Sequence, residues 1–141
     1  MEPFPFTKEE WNSVREAVLP VHNATLADDP IVRASHLIGL IEVLAGLRDV
    51  YGNHPVLLET EADFTEDEHD SITLYRQATD IASQHSLPTF SIRLSLAQVL
   101  FDIGDPSAAN QELLACEAEL VACDEWEKTE WANLMREVNH N

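Results

Sequence analysis

Two runs of helically spaced apolar residues meet at a tight break, Gly104-Asp105-Pro106, inside the stretch Thr89–Leu120. Before the break, Phe90, Leu94, Ala97 and Phe101 share one face; after it, Ala109, Leu113, Cys116 and Leu120 do the same at i, i+4, i+7 and i+11. Gly104 stands where a helix ends in a left-handed residue. Asp105 is placed to cap the next helix, and Pro106 falls in its first turn, where the missing N–H costs nothing. A chain with this junction folds locally as an antiparallel helical hairpin with a short connection.

The rest of the chain is punctuated in the same way. Thr7 and Glu10 form a capping box, and Phe6 can staple onto Trp11. The first helix carries Trp11, Val14 and Val18 on one stripe and is expected to end near Leu19-Pro20, with a loop from Val21 to Asp28. Asp29-Pro30 opens the longest helix, Ile31–Tyr51. Its apolar residues cover most of the circumference, which predicts a central helix approached closely at Gly39 and Gly46. His54-Pro55 starts a short third helix ending at Phe64, and Thr65 with Glu68 predicts a capping box for the fourth. Ser86-Leu87-Pro88 breaks the chain again. Asp124 with Glu127 starts a last helix in which Trp131, Leu134, Met135 and Val138 share a face, whereas Trp126 lies off that stripe. Trp126 either anchors a partner or a dimer contact, or packs under the preceding Val121–Cys123 turn. With few aromatic and β-branched runs, the expected fold is all-α.

Charge narrows the function classes. The 26 acidic and 8 basic residues give a net charge of −18. No cluster of Lys or Arg exists to displace the counterions of phosphate, which excludes nucleic acid as a ligand and disfavours anionic membrane surfaces. The first residues, MEPFPFTKEE, have no signal-like apolar region, and Ile31–Tyr51 carries Arg33, Glu42, Arg48 and Asp49, which argues against a membrane span. Cys116 and Cys123, seven apart on one expected helix, lie too far apart for a disulfide. Reduced thiols fit a cytoplasmic protein. The oligomeric state expected is a monomer or a weak dimer.

An internal repeat appears at 38 residues. Leu58, Ala62, Ser71, Tyr75 and Ala78 are matched by Leu96, Leu100, Ala109, Leu113 and Cys116, apolar or small in both copies. On these residues the hairpin Thr89–Leu120 resembles a tetratricopeptide (TPR) repeat. Leu96-Ala97 sits at the family's Leu-Gly pair, Leu100 at its tyrosine, and Gly104-Asp105 at its inter-helix Gly-Asp. Residues 52–85 are a weaker copy, with Glu59, Glu66 and Ser71 at usual small or turn positions and four extra residues. The resemblance implies one domain, 1–141, of hairpins at 7–51, 54–85 and 88–122 stacked as a small solenoid, with a capping helix at 124–139. It also implies a concave face that holds a peptide or partner protein. On this chain the face positions are Val56, Thr60, Asp63 and Phe64, then Ser91, Leu94, Gln98, Phe101 and Asp102. None is basic, so a groove of this kind prefers apolar or basic segments to a carboxylate terminus.

Recognisable catalytic chemistry is missing from the sequence. The seven carboxylates from Glu59 to Asp70 lack the central glycine of a calcium loop. The pairs Glu66–His69 and Glu137–His140 fall at chain and helix ends, unlike a bundle-centred di-iron site. No histidine pair at i+3 or i+4, Cys-x-x-Cys, phosphate loop or nucleophile elbow occurs. A non-catalytic protein without metal or cofactor is expected. Two readings of its work follow: a protein-binding scaffold using the concave face and an acidic rim at Glu59, Glu66, Asp67, Glu68 and Asp70, or an acidic immunity-type inhibitor that neutralises a basic partner by imitating nucleic acid.

Overall fold

The computed structural model describes residues 1–140 as seven α-helices and one 3₁₀ segment, with no strand among them. The helices are α1 (Lys8–Leu26), α2 (Pro30–Tyr51), α3 (Pro55–Phe64), α4 (Glu68–Gln84), α5 (Phe90–Asp102), α6 (Pro106–Ala115) and α7 (Glu125–Val138), and the 3₁₀ segment, Glu117–Ala122, follows α6. The chain forms two compact units, Glu2–Leu57 and the residues from Leu58 onward.

The first unit is the α1–α2 hairpin. Its start is the expected capping box: the Glu10 amide donates to Thr7 Oγ1 at 3.1 Å, and the Thr7 amide donates to Glu10 Oε1 at 2.8 Å. Phe6 is buried and stacks on Trp11 with ring centroids 5.5 Å apart. It also meets Tyr51 and His54 edge-on. The Tyr51 hydroxyl donates to Glu10 Oε1 at 2.5 Å, tying the end of α2 to the start of α1. Buried His54 donates through Nε2 to the Glu2 carbonyl at 2.8 Å and accepts the Val56 amide at Nδ1 at 3.1 Å. Both ring nitrogens are thereby satisfied.

Two expectations for this unit are corrected. α1 does not stop at Leu19-Pro20 but continues through Pro20 to Leu26. Val21 and Ala24, in the segment expected to be a loop, are buried. Packing of those nearly two extra turns outweighs the roughly 3 kcal/mol that an interior proline costs a helix. α2 is not central either. Leu40, Leu44 and Leu47 are buried, but Ile31, Val32, Ile38, Ile41 and Val50 are exposed, and no neighbour lies within 4 Å of a Cβ built at Gly39 or Gly46. By length and composition α2 also passes as a membrane-crossing helix, with mean hydropathy 1.5 over its most apolar window.

The second unit has one core, in which Leu58, Tyr75, Leu96, Leu100, Leu113 and Leu134 are central. α5 and α6 form the expected hairpin. The Gly104 amide donates to the Phe101 carbonyl and the Asp105 amide to the Leu100 carbonyl, with Gly104 at φ 87°. This is a Schellman ending. The same pattern closes α1 around Asp28 (φ 51°) and α4 around Ser86 (φ 56°). α4 is not capped by a Thr65–Glu68 box: Thr65 donates to the Glu61 carbonyl, and Asp67 Oδ1 accepts the Asp70 amide at 2.9 Å. α6 does not reach Leu120. It ends at Ala115, and Cys116 caps it before the 3₁₀ segment begins at Glu117. α7 has its capping box at Asp124 and Glu127, and Trp131 Nε1 donates to the Leu113 carbonyl at 3.0 Å. Cys116 and Cys123 are free thiols.

The caps reveal a three-fold register. Asp29, Asp67 and Asp105 are the N-caps of α2, α4 and α6, each accepting the amide three residues on, and they are 38 residues apart. The first-helix positions Ala24, Ala62 and Leu100 at the same spacing are all buried.

Candidate functional site

Within the second unit, α3, α4 and α5 bring a group of polar side chains together. Glu59 and Asp63 lie one turn apart on α3, the i and i+4 spacing that puts both on one face. Tyr75 reaches them from α4, its ring 4% exposed, and its hydroxyl donates to Asp63 Oδ1 at 2.5 Å. From α5, one turn apart, the Ser91 hydroxyl approaches Glu59 and the Ser95 hydroxyl approaches Tyr75.

The electrostatics of this group are unusual for an acidic surface. Burial pushes the Glu59 carboxyl up to about 7; the Ser91 hydrogen bond opposes the shift, and the neighbouring Asp63 charge adds to it. Burial also raises Asp63, against the pull of the Tyr75 hydroxyl. The same surroundings raise the Tyr75 phenol. No basic side chain contributes to the shift of either carboxylate. Asp63 is held by the Tyr75 hydroxyl, Glu59 faces the Ser91 hydroxyl, and no counter-charge enters either shift.

Ser95 also belongs to a groove of 260 Å³ between α5 and α7, lined by Leu94, Gln98, Trp126, Glu130, Asn133, Leu134 and Glu137. Trp126, 68% exposed, stands on its α7 side. It does not pack under the preceding turn, because Asp124 starts α7 and places Trp126 off the buried stripe of Leu134 and Val138. An adjoining hollow of 400 Å³ is bounded by Phe101, Arg136, Glu137 and His140. Polar cluster, groove and hollow thus follow one another along α5, and carboxylates outnumber cations there.

The residues expected on the concave face are distributed over this surface. Leu94 and Gln98 line the groove and Phe101 the hollow. Gln98 donates to Asp102 Oδ1 at 2.9 Å. Asp63 is in the polar cluster. Thr60 and Phe64 are half-buried, as is Val56, which falls in the first unit. Of the acidic rim, Glu66, Asp67, Glu68 and Asp70 are exposed, but Asp67 serves as the α4 cap, and Glu59 belongs to the cluster, not to a rim. Sequence reasoning missed Tyr75, Ser95, Glu130 and Glu137. The spacings Trp126–Glu130 and Glu130–Glu137, i+4 and i+7 on one face of α7, were the available signal.

A larger hollow, 780 Å³, lies elsewhere, around Arg93 and Glu119. There Glu119, from the 3₁₀ segment, accepts the Thr89 and Phe90 amides at 2.8 and 3.2 Å and the Thr89 hydroxyl at 2.5 Å. Arg93 donates to Thr89 Oγ1 and pairs with Glu112 at 2.7 Å. Glu119 supplies the cap that the side chain of Thr89 does not give α5. Among the described residues no group of three His, Cys, Asp or Glu is disposed to hold a metal ion. No family model, curated protein or solved structure matches the chain.

Proposed function

We propose that the chain is a non-catalytic, TPR-like helical-repeat module that binds a basic segment of a partner protein along the surface formed by α3, α5 and α7. The observation that carries this reading is the exposed Trp126 beside a groove with carboxylates and apolar side chains together, continuous with the Glu59–Asp63 pair. An exposed tryptophan next to a concave apolar strip is the usual anchor of an interface, and its ring face also attracts cations. A lysine or arginine set over Glu59 and Asp63 supplies the counter-charge that the hydroxyls do not. The 38-residue spacing of the capping aspartates supports the repeat architecture, whose family resemblance implies a scaffold.

The test is calorimetric titration with amphipathic peptides rich in Lys or Arg, beside acidic peptides of the same length. Binding of the basic series alone, weakened at least tenfold by Trp126→Ala and by Glu130→Gln with Glu137→Gln, is expected. Equal binding of both series, or binding indifferent to these changes, overturns the reading. The neutralising-inhibitor reading draws on the exposure of Glu66, Asp67, Glu68 and Asp70. It predicts that Glu66→Gln, Asp67→Asn and Glu68→Gln together abolish binding while Trp126→Ala does not; Asn at 67 preserves the helix cap.

A further inference from the structure

The groove between α5 and α7 is lined by two carboxylates and, among the described residues, by no cation. Glu137 also borders the adjoining hollow, where Arg136 and His140 stand beside it. Glu130 is exposed and in no ion pair among the described residues. It follows Trp126 by four residues, the spacing that sets two side chains next to each other on a helix, about 5–6 Å apart at Cβ. Packing does not call for it. α7 keeps the 38-residue register, with buried Leu134 and Val138 answering to Leu96 and Leu100, but where α5 has buried Ile92 it carries Glu130. On the opposite wall the Gln98 amide nitrogen is spent on Asp102, which leaves its carbonyl oxygen to accept. Asn133, one turn beyond Glu130, already accepts from Arg136.

We infer that the groove selects arginine over lysine in the segment it binds: a guanidinium lies flat on the Trp126 indole and forks onto Glu130, with the Gln98 carbonyl accepting from its far edge. Resting on the reading of this surface as a site for a basic segment, the selection sets what that segment must carry. A planar, weakly hydrated guanidinium stacks on a ring through its face while its edge donates in plane. Its five N–H donors, held in a fixed fork, are enough for acceptors on both walls. An ammonium is a compact point charge that keeps its water, so one ring and one carboxylate hold it less well. A quaternary ammonium has no N–H for Glu130 or Gln98 and is best served by a cage of rings, of which this groove has one. The methylene stem of the arginine lies on Leu94 and Leu134, the apolar part of the lining. The net charge of −18 draws such a segment in and turns acidic ones away.

Calorimetric titration of the full chain with two amphipathic peptides, identical but for arginine or lysine at every basic position, tests this. The arginine peptide is expected to bind about tenfold more tightly, the scale of one stacked and paired guanidinium. Trp126→Leu and Glu130→Gln, both at exposed positions, are each expected to bring that ratio toward one with helical circular dichroism unchanged. Trp126→Phe is expected to keep part of it. Equal binding of the two peptides, still weakened by Trp126→Leu, overturns the selection and leaves the basic-segment reading in place. Binding of neither peptide overturns both. A preference for arginine that survives Trp126→Leu and Glu130→Gln overturns the roles given to these two residues. Tighter binding of a third peptide, with trimethyl-lysine at the same positions, overturns the fork by showing a site for a bare cation.

Discussion

Glu59 is the residue whose protonation the fold controls most directly. Its folded-state value near 7 lies above the ordinary carboxyl value of 4.5. The folded chain therefore holds the proton more tightly than the unfolded one. Stability falls as pH rises from about 4.5 to about 7, and the full penalty persists above that. Glu59→Gln keeps a hydrogen-bonding group for Ser91 and removes the charge. It is expected to stabilise the protein at pH 8 by up to about 3 kcal/mol and to change little at pH 4, as read by urea unfolding at the two pH values. A basic ligand seated over Glu59 lowers its pKa and expels a proton near neutrality. Calorimetry in buffers of different ionisation enthalpy should therefore show proton release, with affinity rising from pH 6 to pH 8. Tyr75→Phe removes the hydrogen bond to Asp63, whose carboxylate is open to water, and a loss of about 1 kcal/mol is expected from thermal unfolding. None of this was visible in the sequence. Glu59 and Asp63 read as members of a solvated acidic run, because the hydroxyls that surround them come from two other helices.

At the scale of the element, local signals were most legible where a cap and its helix are contiguous. Thr7 with Glu10, Asp29-Pro30, Asp105-Pro106 and Asp124 with Glu127 all start helices as their spacing predicted. What failed was decided at a distance. Pro20 reads as a stop, yet the turns beyond it bury Val21 and Ala24. The cap of α5 cannot be found near Thr89, because Glu119 supplies it from thirty residues away. Glu119→Ala is expected to cost about 1–2 kcal/mol, the range of a lost helix cap, and to raise amide exchange first at Thr89 and Phe90. At the other end of a helix, Ser86 occupies the left-handed position that Gly104 fills in the equivalent junction. Ser86→Gly is expected to stabilise the fold by about 1 kcal/mol, with the opposite sign for Gly104→Ala, measured by chemical denaturation.

For the molecule as a whole, the excess of carboxylates opposes compaction. Screening by salt weakens that repulsion. Moving from low ionic strength to physiological salt is expected to add about 1 kcal/mol, a rise of about 4 °C in Tm by scanning calorimetry, the reverse of its effect on a salt-steered complex. The three capping aspartates have a consequence of another kind. Residues 67–104 begin at one capping aspartate and close on the residue that precedes the next. A duplicate spliced between Gly104 and Asp105 would follow Gly104 where the original follows Glu66, and would lead into Asp105 as the original does. The chain would in this way be lengthened like a ruler, one graduation at a time, each added notch a copy of α4 and α5.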